Sequence, residues 1–237
     1  MMKKLFSPFQ IKHLTLPNRI VMAPMATDLT SEKGRVTEKL VDYYQRRAQG
    51  ETGMIIVEAA TVEPRGFAFP REFRIYDDEC LEGLGQLASA IKKHGIPVAL
   101  QLHHAGKQTD SAMIGTTPIS PSPASSPKPR GISREMTQDE AETIIEAFGS
   151  AAKRAQQAGF DAVEIHGASG YLLGQFLSPH TNQRTDQFGG DLEGRARFPL
   201  GVVQRIRERV GSDFVVAYSL AAEEFIEDGL HLAESLQ

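Results

Sequence analysis

Short apolar runs alternate with longer segments of helical periodicity along the chain, and this alternation restricts the fold more than any other feature. The runs occupy residues 19–23, 54–57, 97–102, 162–166 and 214–220. Each has the length of a strand and is almost wholly apolar, as expected of strands that are buried on both faces. Strand and helix in alternation predict a parallel sheet with helices packed against it.

Helical patterns fill the intervals between the runs. Thr137 and Glu140 have the spacing of a capping box, which predicts a helix start at that point. The last residues of the chain, which follow the fifth run, predict the beginning of a further helix. The other predicted helices cover residues 37–48, 78–93, 141–158 and 192–210.

Two architectures fit this order of elements, an open doubly wound sheet and a (β/α)8 barrel. No GxGxxG motif follows any run, which disfavours a doubly wound dinucleotide-binding unit. No GxxxxGK[ST] motif for a phosphate-binding loop occurs either. The 237 residues are predicted to form one domain, 1–237.

The composition argues against several classes of protein. The net charge of −4 is unfavourable for a nucleic-acid partner, because phosphate binding needs a basic surface. No apolar run approaches the ~20 residues that span a bilayer, so no membrane partner is expected. The amino terminus lacks the apolar segment of a secretory signal. Cys80 is the single cysteine, which fits a reducing compartment such as the cytoplasm, and it is predicted to be a buried thiol.

Neither a metal centre nor a serine hydrolase site is predicted. The chain offers no cysteine cluster for zinc or for an iron–sulfur group. His103 and His104 are adjacent, so on a strand they point to opposite faces. His166 has no carboxylate two or three residues further on, and no G-x-S-x-G elbow is present.

A stretch rich in proline, serine and glycine runs from residue 106 to residue 134. Its five prolines predict that it forms no regular element. Two interpretations remain open, a linker between domains and a long active-site loop on one end of a barrel.

Reactive side chains follow several of the predicted strands. In a parallel α/β fold ligands gather at the carboxyl ends of the strands, so we expect these side chains to converge. The set suits hydrogen bonding to a polar planar ring or to an enolate oxygen, with Tyr171 or a histidine as proton donor. A purely structural role for each histidine stays open. The candidates are Gln101, His103, His104, His166 and Tyr171, together with 23–26, 58–60, Ser169 and Ser219.

Several segments resemble the Old Yellow Enzyme family of NAD(P)H:flavin oxidoreductases. The amino-terminal segments LFSPF, LPNRI and APM resemble the opening of such proteins, and QLHHAG resembles their third strand. The most specific segment covers residues 159–198 and reads GFDAVEIHGASGYLLGQFLSPHTNQRTDQFGGDLEGRARF. The matching segments extend from about residue 5 to residue 229, almost the whole chain.

The resemblance implies a (β/α)8 barrel that carries FMN at the carboxyl ends of its strands. Members take hydride from NAD(P)H and pass it to the β-carbon of an activated alkene, a small-molecule substrate. By position, His166 should hold the substrate carbonyl, Ser169 should be its partner and Tyr171 should be the proton donor or a substrate contact. The implied FMN contacts are Ala23, Pro24, Met25, Ala26, Ala60, Gln101 and Ser219.

Three positions depart from the family pattern. Ala26 stands where Cys or Thr is usual near the flavin, and Ser169 stands where His or Asn usually completes a clamp on the substrate oxygen. Ser219 replaces an arginine that places positive charge near flavin N1 and O2. Loss of one preorganised charge or donor of this kind costs on the order of 3 kcal/mol. Together the changes predict weakened activity, a shifted substrate or a relative that has lost the chemistry.

Only five strand–helix units are readable, whereas a (β/α)8 barrel needs about 250 residues or more. We therefore expect a barrel that stops after about five units, in a fragment of a longer protein. Loops after the last strands commonly bind phosphate in such barrels, so weak or no FMN binding is expected of the isolated chain. Two unpaired edge strands would also favour pairing with another chain, and homo-oligomerisation is left open.

Overall fold

The fold is described from a computed structural model in which residues 2–125 and 132–237 are placed. Two short 3₁₀ turns lie at Asp78–Cys80 and Gly106–Gln108. The helices are α1 (Met2–Leu5), α2 (Glu38–Ala48), α3 (Leu81–Lys92), α4 (Ser111–Ile114), α5 (Gln138–Gln157), α6 (Leu172–Leu177), α7 (Leu192–Val210) and α8 (Leu232–Ser235). The strands are β1 (Phe9–Ile11), β2 (Leu14–Leu16), β3 (Val21–Met22), β4 (Met54–Thr61), β5 (Phe73–Arg74), β6 (Val98–His103), β7 (Ile119–Ser120), β8 (Ala124–Ser125), β9 (Ile132–Glu135), β10 (Ala162–Gly167) and β11 (Val215–Leu220).

The central sheet is parallel and its strands follow one another in chain order, β3-β4-β6-β10-β11. Strand β5 pairs with the carboxyl end of β4. A doubly wound sheet reverses its strand order at a switch point, whereas a barrel adds each strand beside the last. The order therefore selects the barrel type over the open sheet. The five strands form a half-barrel, and the sheet does not close on itself within the residues that the structure describes.

The two faces of the sheet have different environments because successive side chains alternate. Ile55, Val57 and Val163 lie in the core between the sheet and the helices. The opposite face begins with an apolar layer, which packs against the hairpin formed by β1 and β2. Its buried members are Leu14, Leu16, Met54, Ile56, Ala99, Ala162 and Val215. The same alternation places polar residues further along the strands, towards their carboxyl ends.

The helix signals in the sequence act as predicted. Thr137 Oγ1 accepts a hydrogen bond from the Glu140 amide at 3.1 Å, and Glu140 Oε2 accepts one from the Thr137 amide at 3.0 Å. This capping box starts α5 three residues before the apolar pattern begins. Thr37 caps α2 in the same way, through the amide of Leu40. Cys80 is buried as predicted, and burial raises the pKa of its thiol to about 11.

The prediction that 106–134 contains no regular element is wrong. Strand β9 pairs with β7 in parallel and with β8 in antiparallel orientation. Helix α4 lies upstream of these strands. Residues 126–131 lie outside the described part of the chain. Pro118, Pro121 and Pro123 are accommodated because they stand outside the paired positions of β7, where no backbone donor is needed. Buried Arg184 ties this small sheet to the barrel by donating to the carbonyls of Pro121 and Met136, at 2.9 and 2.6 Å. This tether excludes a free linker.

Candidate active site

His166 and Ser219 form the centre of the candidate site, where β10 and β11 lie side by side. The two residues are register partners, and His166 Nδ1 lies 3.3 Å from Ser219 Oγ. Ser219 Oγ also lies 3.5 Å from the carbonyl oxygen of Ile165. The serine hydroxyl is thus directed at its own neighbours.

Three rings meet at this end of the barrel. The Tyr171 ring lies 5.0 Å from the His166 ring and 4.3 Å from the His103 ring, the latter in an edge-to-face arrangement at 85°. The two histidine rings are 5.5 Å apart. Each ring comes from a different segment, since His103 ends β6, His166 lies in β10 and Tyr171 precedes α6. The structure therefore brings two predicted site residues, His166 and Tyr171, into one cluster.

Gln101 lies on the same face of the sheet as this cluster. It is a register partner of Glu164, and its side-chain amide donates to Glu164 Oε1 at 2.7 Å. Glu164 precedes His166 by two residues and so points to the same side of β10. Burial raises the pKa of Glu164, against the opposing effect of the hydrogen bond from Gln101. Sequence reasoning did not select Glu164.

His166 is neutral at physiological pH. Burial, and secondarily the nearby His103, lower its pKa to about 4. A neutral imidazole has one N–H donor and one acceptor nitrogen, so His166 can donate a hydrogen bond to a carbonyl oxygen without carrying a charge.

A buried carboxylate lies beside the loop that follows β3. Glu58 Oε2 accepts a hydrogen bond from the Thr27 amide at 2.6 Å, and Oε1 accepts one from the Thr27 hydroxyl at 3.1 Å. Burial raises the pKa of Glu58 to about 7, while the bonds from Thr27 oppose the shift. The sequence placed Glu58 at a strand end but gave no reason to choose it, because its partner lies in a loop 31 residues away.

A cavity of about 480 Å³ opens next to Glu58. This volume is within the usual range for a small-molecule site. Ala26 and Ala59 contribute only methyl groups, which leaves the backbone accessible to a planar ligand. The neighbouring Met25 side chain is 59% exposed. The lining residues are Ala26, Asp28, Glu58, Ala59, Phe69, Pro70, Arg71 and Glu72.

Other predicted residues do not line this cavity and differ in exposure. Ala23 is exposed and Pro24 half-buried, in the segment that leaves β3. The Ala60 side chain is buried in the main core, so only its backbone faces the site. Ser169 is exposed with φ of 58°, and its carbonyl accepts from Gln108 at 2.7 Å. Within the described residues no hydrogen bond joins the Ser169 hydroxyl to His166.

The expectation that all three strand-end histidines converge is wrong for His104. Its Nε2 lies 2.8 Å from Glu63 Oε1, and its Nδ1 accepts from the Gly106 amide at 3.0 Å. His103 instead pairs with Glu72 and joins the ring cluster. The two histidines are neighbours in sequence, and the alternation of a strand sends them to opposite sides. Among residues 2–125 and 132–237 no group of three potential ligands could hold a metal ion.

The donor set at the strand ends suits a flavin ring. An amide from Gln101, the hydroxyl of Ser219 and backbone groups beside Ala26 and Ala60 could meet the polar edge of such a ring, and the small side chains permit close approach. Ser219 supplies no positive charge to this edge.

No described helix is both long and apolar enough to cross a bilayer.

A family model decides the relationship. The model of the NADH:flavin oxidoreductase / NADH oxidase family matches residues 4–237. The chain belongs to this family. Its members are oxidoreductases, and FMN with NAD(P)H is the cofactor system that the family and its old yellow enzyme neighbours indicate. The resemblance seen in the sequence is thereby confirmed.

Individual relatives agree with this assignment. An NADH oxidase of Thermoanaerobacter brockii is 45% identical over 98% of this chain, and an NADPH dehydrogenase of a Geobacillus species is 40% identical over 95%. The chain spans 36% and 65% of the length of these two relatives. A 2-naphthoyl-CoA reductase structure superposes with a TM-score of 0.96 at 31% identity, covering all of this chain and 38% of that one. The old yellow enzyme homologue from Zymomonas mobilis gives 0.90 at 30% identity, over 98% of this chain and 67% of that one.

Proposed function

We propose that this chain is part of an FMN-dependent NAD(P)H oxidoreductase that reduces the C=C bond of activated alkenes such as enones. The observation that carries the proposal is the pairing of a neutral His166 with Tyr171, whose rings lie 5.0 Å apart at the carboxyl ends of the barrel strands. A hydrogen-bond donor and a phenolic proton donor side by side are what reduction of a polarised double bond requires.

Each of the named residues has a separate proposed role. When bound, FMN supplies the hydride chemistry and NAD(P)H supplies the reducing equivalents. Gln101 and the backbone beside Ala26 and Ala60 hold and orient the ring edge. The ring N–H of His166 donates to the substrate carbonyl oxygen and polarises the double bond. The Tyr171 hydroxyl then donates its proton to the substrate α-carbon.

A second candidate function is a non-catalytic relative with weak flavin binding. The observation in its favour is Ser219, whose hydroxyl contacts His166 and Ile165 and brings no positive charge. Absence of one preorganised charge costs on the order of 3 kcal/mol at such a site. Ser169, which makes no hydrogen bond to His166 within the described residues, points in the same direction.

Two measurements separate these candidates. FMN is titrated into the purified protein, and flavin absorbance and fluorescence report binding. The loaded protein is then reduced anaerobically with NADH or NADPH and mixed with a cyclic enone. Flavin that is bleached by the nicotinamide and reoxidised by the enone supports the enzyme.

Matched variants sharpen the test. Tyr171→Phe should slow reoxidation by the enone at least about 100-fold while leaving reduction by the nicotinamide intact, because only the former needs the phenolic proton. Tyr43→Phe, on the outer helix α2, is the control and should behave as the parent. Protein that never binds FMN would reject the enzyme and favour the second candidate.

A further inference from the structure

A buried ion pair adjoins the ring cluster and has no part in the proposed reaction. Glu72 Oε1 lies 2.5 Å from His103 Nδ1, and the two side chains are 1% and 0% exposed. The other ring nitrogen, His103 Nε2, is buried without a hydrogen-bond partner among the described residues. Burial of charges and of an unsatisfied polar atom is costly, and it is a weak way to gain stability. Such a group needs another explanation.

The surroundings of His103 suggest that explanation. Its ring lies edge-to-face with Tyr171 at 4.3 Å and 5.5 Å from His166, whereas Glu72 comes from the segment before β5. The carboxylate thus fixes the histidine on one side while the histidine contacts the site on the other. An edge-to-face contact defines the orientation of both rings.

We propose that Glu72 and His103 form a positioning pair, in which Glu72 fixes the His103 ring and His103 sets the orientation of Tyr171. This inference rests on the proposed roles of His166 and Tyr171. His103 acts through the ring cluster and needs no contact with substrate.

The electrostatics follow from the geometry. Burial remains the larger cause of the low pKa of His166, and His103 adds to it. The titratable groups on the surrounding elements are Glu58 on β4, Glu72 before β5, Glu164 and His166 on β10, and Tyr171 before α6.

Histidine ring NMR on the isotopically labelled 237-residue chain tests the pair without flavin. Signals of His166 and Tyr171 are assigned by loss in His166→Asn and Tyr171→Phe, and chemical shifts are followed against pH. In His103→Gln the titration midpoint of His166 should rise, because the contribution of His103 to its low pKa is lost. The Tyr171 ring signals should move in Glu72→Gln, which frees the His103 ring, and in His103→Gln. They should stay near their parent positions in His103→Phe, which keeps the ring contact.

His104→Gln is the matched control. It replaces a neighbouring buried histidine that is also paired with a carboxylate, Glu63, and whose ring makes no ring contact with the cluster among the described residues. Its His166 midpoint and Tyr171 signals should equal those of the parent. The positioning pair is refuted if the Tyr171 signals in Glu72→Gln and in His103→Gln coincide with those in His104→Gln. If His103→Gln does not fold, as judged by circular dichroism, Glu72→Gln and His103→Phe decide.

The outcome is independent of catalysis. If the Tyr171 signals move in Glu72→Gln and His103→Gln but the protein never binds FMN, the positioning pair is retained and the proposed function is rejected. If these signals do not move in an active flavoprotein, the positioning pair is rejected and the proposed function is retained.

Discussion

His166 Nδ1 lies 3.3 Å from Ser219 Oγ across adjacent parallel strands, and this contact joins the proposed substrate-binding histidine to the position where the family usually carries an arginine. A hydroxyl can satisfy the imidazole, but it cannot offset negative charge on a reduced flavin. Ser219 therefore contacts the proposed substrate-binding histidine and, at the same time, occupies a predicted flavin-contact position.

Ser219→Arg should strengthen binding of the reduced flavin more than that of the oxidised flavin, because only the reduced ring is anionic. A preorganised charge of this kind contributes on the order of 3 kcal/mol, so the potential of the bound flavin should rise measurably. Redox titration against a reference dye gives the potential. Ser219→Gln, which adds length without charge, is the control and should not reproduce the rise. Equal potentials for the two variants would contradict the electrostatic argument.

Glu58→Gln should change how stability depends on pH. Burial raises the folded-state pKa of Glu58 to about 7 from its ordinary value of 4.5, so the folded protein keeps this proton to higher pH than the unfolded chain. The stabilisation is complete below pH 4.5 and is lost as pH rises through 7. Between pH 5 and 8 the parent should lose on the order of 2 kcal/mol more unfolding free energy than Glu58→Gln. Urea denaturation at several pH values measures this, and parallel curves for the two proteins would refute it.

Thr137→Ala should destabilise the protein by about 1 kcal/mol, because it removes the side-chain cap of α5. Glu140 keeps its hydrogen bonds with Arg134 and with the backbone amide of residue 137, so the change isolates the threonine hydroxyl. Urea denaturation gives the change in unfolding free energy. Thr143→Ala, at an exposed position of the same helix, should stay within about 0.5 kcal/mol of the parent. An equal loss in both variants would mean that the capping box is not the cause.

Phe198→Ala should cost about 3–5 kcal/mol, because it empties a fully buried position. The Phe198 ring stacks on Phe176 at 3.9 Å and 13° and also contacts Phe188 edge-on, so it joins α7 to the segment that carries Tyr171. Thermal and urea unfolding measure the loss. Leu200→Ala, at a position 63% exposed on the same helix, is the control and should have a much smaller effect.

Much of the fold could be predicted because its main elements have strong periodic patterns. The runs at 54–57, 97–102 and 162–166 became strands of the central sheet, and the helical patterns became α2, α3, α5 and α7. The β1–β2 hairpin was missed because each of its strands has only three residues. The hairpin is stabilised by packing against the apolar layer of the central sheet. Strands β7 and β9 were missed because a distant residue, Arg184, holds their sheet in place.

The candidate site could be predicted only in part. The carboxyl-end rule correctly brought His166 and Tyr171 together from different segments. It could not indicate Glu72, which lies in an irregular segment 31 residues before its partner His103. Nor could it separate His103 from His104, since the partner carboxylates Glu72 and Glu63 are both distant in sequence. Pairings of this kind are made by tertiary structure and leave no local pattern.

The Arg184 tether has a consequence for recombination of barrel units. Its guanidinium follows β10 but holds carbonyls at Pro121 and Met136, which precede α5. A chimera joined within α5 would therefore inherit the cation from one parent and its acceptors from the other. When loops are exchanged between related barrels, residues 106–190 should be transferred together, so that the sheet of β7, β8 and β9 keeps its contact with Arg184.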